Sequence, residues 1–114
     1  MKFEITNHKT GLVIYSHEQE NNSLAITVEK AVKENVALEG ANLTGANLTG
    51  AKLTKANLVG ANLMDANLEA ANLTKADLTK ANLMGVNLTG ANLKDADLSD
   101  TYLERVNLEG ANFR

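Results

Sequence analysis

From Val36 onward the chain repeats every five residues. Leucine stands at every fifth position from Leu38 to Leu108, and Phe113 takes the next place. Two residues before each of these stands a small or β-branched residue. It is alanine in most units and Val36, Val86, Thr101 and Val106 in the others. The position just before the leucine is asparagine or aspartate except at Ala37, Lys52 and Tyr102. The two positions after it are mostly polar or small, and glycine recurs at the second of them.

Neither ordinary element buries a period of five. A helix turns about 100° per residue, so successive leucines spiral around it. A flat strand alternates faces, so an odd period throws successive leucines to opposite sides. A chain that turns a corner in every unit points every leucine at one axis. Stacked coils then bury the leucines in one long core, each repeat leaning on its neighbours. The alanine position is also expected to point inward, and must be small because leucine already crowds the axis. The glycines mark turns that need unusual backbone angles.

Runs such as Ala41-Asn-Leu-Thr-Gly45 and Ala61-Asn-Leu-Met-Asp65 resemble the pentapeptide repeat family, whose consensus is Ala-(Asp/Asn)-Leu-x-x. The resemblance covers residues 36–114. It implies an all-β solenoid, a right-handed quadrilateral β-helix with four units per coil. About four coils at about 4.8 Å each give a rod roughly 19 Å long. Residues twenty apart then stack, which places Asn47, Asn67, Asn87 and Asn107 in one row and Asn57, Asp77 and Asp97 in another. Stacked amides are expected to hydrogen-bond along such a row.

Residues 1–35 lack the repeat and are expected to form a separate segment before the β-helix at 36–114. Lys2–Thr6 alternates and Leu12–Ser16 is a short apolar run, with turn residues Asn7–Gly11 between them. The pattern predicts a β-hairpin. Ser23 is a helix N-cap, and Leu24, Val28, Ala31 and Val32 share one face of a helix running to about Glu34. Asn35 terminates it. A solenoid has an apolar end that needs covering, and the hairpin and helix are expected to cap the first coil. At the other end two outcomes are open. Phe113 plugs the axis by its bulk, or the last coil, with Leu108 and Phe113, pairs with a second copy in a homodimer.

Composition narrows the chemistry. There is no cysteine and no proline, and net charge is −3. No stretch reads as a signal peptide or a membrane span, so a cytoplasmic, bacterial protein with no membrane partner is expected. The acids and bases of 36–114 net to a small negative value, which argues against direct nucleic-acid binding. His8 and His17 lie in expected loops without metal-ligand spacing, so neither a metal nor a cofactor is expected. No phosphate loop or nucleophile motif is present, and a leucine-filled axis leaves no substrate cavity, so an enzyme is not expected.

What remains is a surface. Asp95, Asp97, Asp100 and Glu104 cluster toward the end of the rod, with Asp77 expected to stack under Asp97, and Asp77, Asp97, Asp100 and Glu104 are the candidate acidic contact residues. Stacked carboxylates of this kind raise one another's pKa, hold a cation, or form an ordinary solvated surface neutralised by Lys80, Lys94 and Arg105, the last being the expectation. Tyr102 breaks the asparagine row with an outward aromatic and is the first candidate contact residue. Val59, Met64 and Met84 offer an apolar side patch. The expected function is a rigid protein-binding or structural rod. The resemblance implies an alternative, since some members of the family bind gyrase by imitating duplex DNA. Those relatives are longer, more acidic and carry a carboxy-terminal dimerisation helix, which this sequence does not show.

Overall fold

The computed structural model describes all of residues 1–114. Strands β1 (Lys2–Thr6) and β2 (Val13–Glu18) pair antiparallel, with Ile5 opposite Tyr15 and a bulge between Ile5 and Thr6. The second strand runs further than the apolar stretch suggested, because His17 and Glu18 pair with Phe3 and Lys2. The turn is built by Asn7, whose side-chain oxygen accepts from the amides of Lys9 and Thr10. This is the local bonding that favours asparagine in turns.

Helix α1 (Leu24–Lys33) begins at Ser23, whose hydroxyl accepts from the Ile26 amide at 3.1 Å. It ends in a Schellman motif. The Val36 amide donates to the Ala31 carbonyl, and the Asn35 amide donates to that of Val32. Asn35 sits at φ 59°, the left-handed position this motif requires. Thr27, Val28 and Ala31 are buried, while Leu24 and Val32 are half-buried.

From Val36 the repeat builds a β-helical solenoid. In each unit the leucine carbonyl accepts from the amide three residues on, as from Ala46 to Leu43 at 3.0 Å. The residue before that amide has positive φ throughout, for example 66° at Gly45 and 58° at Ala70. Positive φ at the third position of a four-residue turn is the mark of type II, and it explains the recurring glycine. One turn per unit gives the coil four walls. Between coils, the Leu43 amide donates to the Asn62 carbonyl and the Asn62 amide donates to that of Ala41. Parallel bridges accordingly pair Asn42 with Asn62, Asn62 with Asn82, and Asn82 with Tyr102, always twenty residues apart.

Leu38 through Leu93 are at most 1% exposed, and the alanines between them are nearly as deep. Fully burying one leucine contributes about 2 kcal/mol, so this column dominates the stability of the rod. Val86 fits an alanine position with no exposure. Ile5, Val28 and Ala31 belong to the same apolar cluster, so the core runs unbroken from the hairpin and helix into the solenoid. At the far end Leu103, Leu108 and Phe113 are 40%, 36% and 49% exposed. Phe113 therefore does not plug the axis, because about half of its surface stays open.

The asparagine rows form as expected, but not the amide ladder. Each side-chain oxygen turns along its own unit instead. That of Asn72 accepts from the Thr74 amide at 3.0 Å and from the Thr74 hydroxyl at 2.6 Å. The same bonding recurs at Asn42, Asn47, Asp77, Asn87 and Asp97. A donor two residues away costs less chain ordering than one in the next coil, and it satisfies an amide that the turn leaves unpaired.

Candidate functional site

The fold sorts outward residues into four walls. The first takes 36–40, 56–60, 76–80 and 96–100, and the other three follow in chain order. The stacking is direct: Asp77 bridges Asp97, and Lys52 bridges Asn72. A substitution in one coil therefore lands beside a residue twenty positions away, not beside its sequence neighbours.

The first wall is acidic. It carries Glu39, Asp77, Asp97 and Asp100, with Lys80 as its one base. Asp97, stacked on Asp77, has its pKa lowered. The Ser99 hydroxyl and then the Ser99 amide hold Asp97 below the usual aspartate value, against a small opposing effect of burial, and Thr79 adds a further hydrogen bond. Hydrogen bonds to the ionised form outweigh the cost of burial there.

Tyr102 and Glu104 lie on the second wall, not with Asp77, Asp97 and Asp100. Tyr102 is 61% exposed. It closes a groove of about 370 Å³ whose other rim is the hairpin turn, His8 and Lys9, with Asn62, Asn82 and Lys80 on its floor and side. The groove exists because the hairpin tip leans on the rod. His8 donates through Nε2 to the Gly60 carbonyl at 2.8 Å, and its backbone amide donates to that of Gly40. Gly40 suits this approach, since its φ is 71° and a Cβ would meet Nδ2 of Asn7 at 2.6 Å, so that the Asn7 side chain would have to shift.

The apolar patch is divided. Met64 and Met84 stack on the second wall and are half-buried, while Val59 lies on the first wall under Asn7, His8 and Lys9. Leu108 and Phe113 both open onto the exposed end coil.

The third wall carries the unbroken row Asn47, Asn67, Asn87 and Asn107 with Glu69 and Glu109, and no base. The fourth wall has the opposite sign. Lys52, Lys55, Lys75, Lys94 and Arg114 stand there with one acid, Asp95, and all six are exposed. Ion pairs within 4 Å occur only at Lys2–Glu4 and Lys30–Glu34, so none of these five cations has one. A sum over the whole repeat hides this wall, because the acids of the other three cancel it. Laying the charges out at a stacking distance of twenty reveals it.

No group of three or more histidine, cysteine or acidic side chains is arranged to hold a metal ion. No helix is long and apolar enough to cross a membrane.

A family model described as "Pentapeptide repeats" matches residues 34–69, 61–100 and 91–114. No curated protein matches the chain. Among solved structures, a pentapeptide repeat protein (Rfr23) from the cyanobacterium Cyanothece 51142 is 32% identical with a TM-score of 0.55. The likeness covers 64% of this chain and 54% of that one. A pentapeptide repeat protein from Nostoc PCC 7120 is 36% identical with a TM-score of 0.45, over 64% of this chain and 56% of its own. The chain thus spans little more than half the length of the structures it matches.

Proposed function

The chain belongs to the pentapeptide repeat family, whose members fold as right-handed quadrilateral β-helices, and we propose that it acts as a rigid, non-enzymatic rod that binds a protein partner through its outer walls. The single observation that carries this reading is the division of labour within each unit. Leucine and alanine fill the axis, and every remaining side chain is displayed on a wall of fixed spacing. Such a molecule has a rigid surface to offer and no interior site.

The rod has about four coils in this reading. The hairpin and α1 cap its first coil, supported by the antiparallel bridge of Asn7 to Ala41 and by the burial of Ile5 and Val28 in the shared core. The exposed Leu103, Leu108 and Phe113 favour a homodimer closed over the last coil, because an apolar patch of this kind invites covering.

Tyr102 is the anchor we assign to the partner surface, with Glu104 beside it and Asp97 and Asp100 around the corner. A large exposed aromatic at a groove is the usual centre of such a contact. The duplex-mimic alternative has no support. A mimic needs one sign of charge around the rod, and the fourth wall carries the other.

The test is capture of partners from cell lysate by the wild type, by Tyr102→Ala and by a variant neutralised at Asp97, Asp100 and Glu104. A specific partner held by the wild type and lost by both variants supports the reading. Equal capture by all three, or capture by none, overturns it.

A further inference from the structure

We propose that the fourth wall is a docking face for an anionic lipid surface. The argument starts from charge. Five cations stand on one flat wall against a single acid, and none has an ion-pair partner. At the top the stripe runs into a groove of about 410 Å³ between α1 and the wall. Lys33 and Lys52 line this groove together with Glu29, whose carboxylate accepts from the Lys52 backbone amide. Lys55 and Lys75 are twenty residues apart in adjacent coils, at a stacking distance of about 5 Å. Like charges rooted in adjacent coils repel one another, and an external anion lying over them relieves the repulsion.

The rest of the wall selects among polyanions. Its outward positions carry no aromatic side chain, and Phe113, at the leucine position of its last unit, opens onto the end coil, so the wall has no row of stacking platforms for unpaired bases. It projects no helix or ribbon that enters a groove of duplex DNA. Its outward positions offer no large apolar anchor away from the end coil, and the centre of a stable protein interface is poor in charge. A planar array of lysines without anchors fits a planar array of phosphates, which is the surface of a bilayer containing acidic lipids. Each lysine brought near such a surface strengthens binding by a modest amount, so five or six are needed together. With the fourth wall down, the second wall with Tyr102 faces away from the bilayer and stays available. The inference does not depend on Tyr102 binding a partner.

The experiment is sedimentation of the full chain with vesicles of neutral phosphatidylcholine or of phosphatidylcholine with added phosphatidylglycerol, at low and high salt. Binding to the acidic vesicles alone, lost at high salt, is expected. Lys55→Gln, Lys75→Gln and Lys94→Gln are each expected to lower the partition coefficient about fivefold. Lys80→Gln on the first wall is the control and is expected to change it little. Circular dichroism of each variant checks the fold, and the three lysines lie in different units, so one unfolded variant leaves the test intact. Equal binding to neutral vesicles, indifference to all three fourth-wall substitutions, or binding to duplex DNA in place of vesicles would each overturn the proposal.

Discussion

His8 donates from Nε2 to the carbonyl of Gly60, which lies 52 residues further along the chain, and so ties the hairpin turn to a corner of the second coil. The bond is partly buried and joins the non-repetitive segment to the solenoid at the rim of the Tyr102 groove. His8→Ala is expected to destabilise the protein by about 1 kcal/mol. It is also expected to speed hydrogen exchange at Asn7 and Gly11, whose amides close the turn. Unchanged exchange there would mean that the hairpin holds its place without this bond.

The leucine column sets a second expectation. Leu73 has no exposed surface and lies midway along the axis. Leu73→Ala is expected to cost about 2–5 kcal/mol, measured by denaturant unfolding. Leu73→Lys buries an unpaired charge and is expected to abolish folding. A folded, soluble lysine variant would contradict the coil.

Ala70 offers the opposite sign. It occupies the turn position with φ 58°, in the row otherwise made of Gly50, Gly90 and Gly110. The left-handed conformation costs a non-glycine residue about 1–2 kcal/mol. Part of that gain is lost to the greater freedom of glycine in the unfolded chain. Ala70→Gly is therefore expected to raise the midpoint of unfolding slightly, whereas Gly40→Ala is expected to lower it. A fall with Ala70→Gly would show that the turn is not strained there.

Asp97 supplies the pH dependence. Its pKa is held below the ordinary aspartate value, chiefly by the Ser99 hydroxyl. The folded state therefore binds fewer protons than the unfolded chain. The contribution is fully present above the unfolded pKa and is lost as pH falls through the lower folded one, in the acid range below about 4. Ser99→Ala is expected to move the Asp97 titration, followed by carboxyl NMR, upward toward the ordinary value. An unmoved midpoint would show that the hydroxyl does not set it.

Most of the architecture was legible in the sequence, because a five-residue leucine period admits few solutions. Ser23 and Asn35 likewise announced both ends of the helix. Three features were not legible for physical reasons. The direction of the asparagine side chains depends on competition between a donor in the next coil and one two residues away, and the repeat pattern is the same for both. The basic wall was hidden because Lys52, Lys75 and Lys94 are separated in sequence by acids that belong to other walls. The division of Glu104 from Asp77, Asp97 and Asp100 escaped for the same reason, since a corner turns between Asp100 and Glu104.

The four walls exist because residues twenty apart stack. The most direct measurement is disulfide formation in a chain that has no cysteine of its own. Asn72 and Asn92 pair in a parallel bridge on the fourth wall. Oxidation of the double variant Asn72→Cys/Asn92→Cys is expected to give the intramolecular disulfide in high yield with the fold retained. The control Asn72→Cys/Asn87→Cys places its cysteines on different walls and is expected to give none. A disulfide in the control, or its absence in the bridged pair, would contradict the twenty-residue coil and the walls built on it.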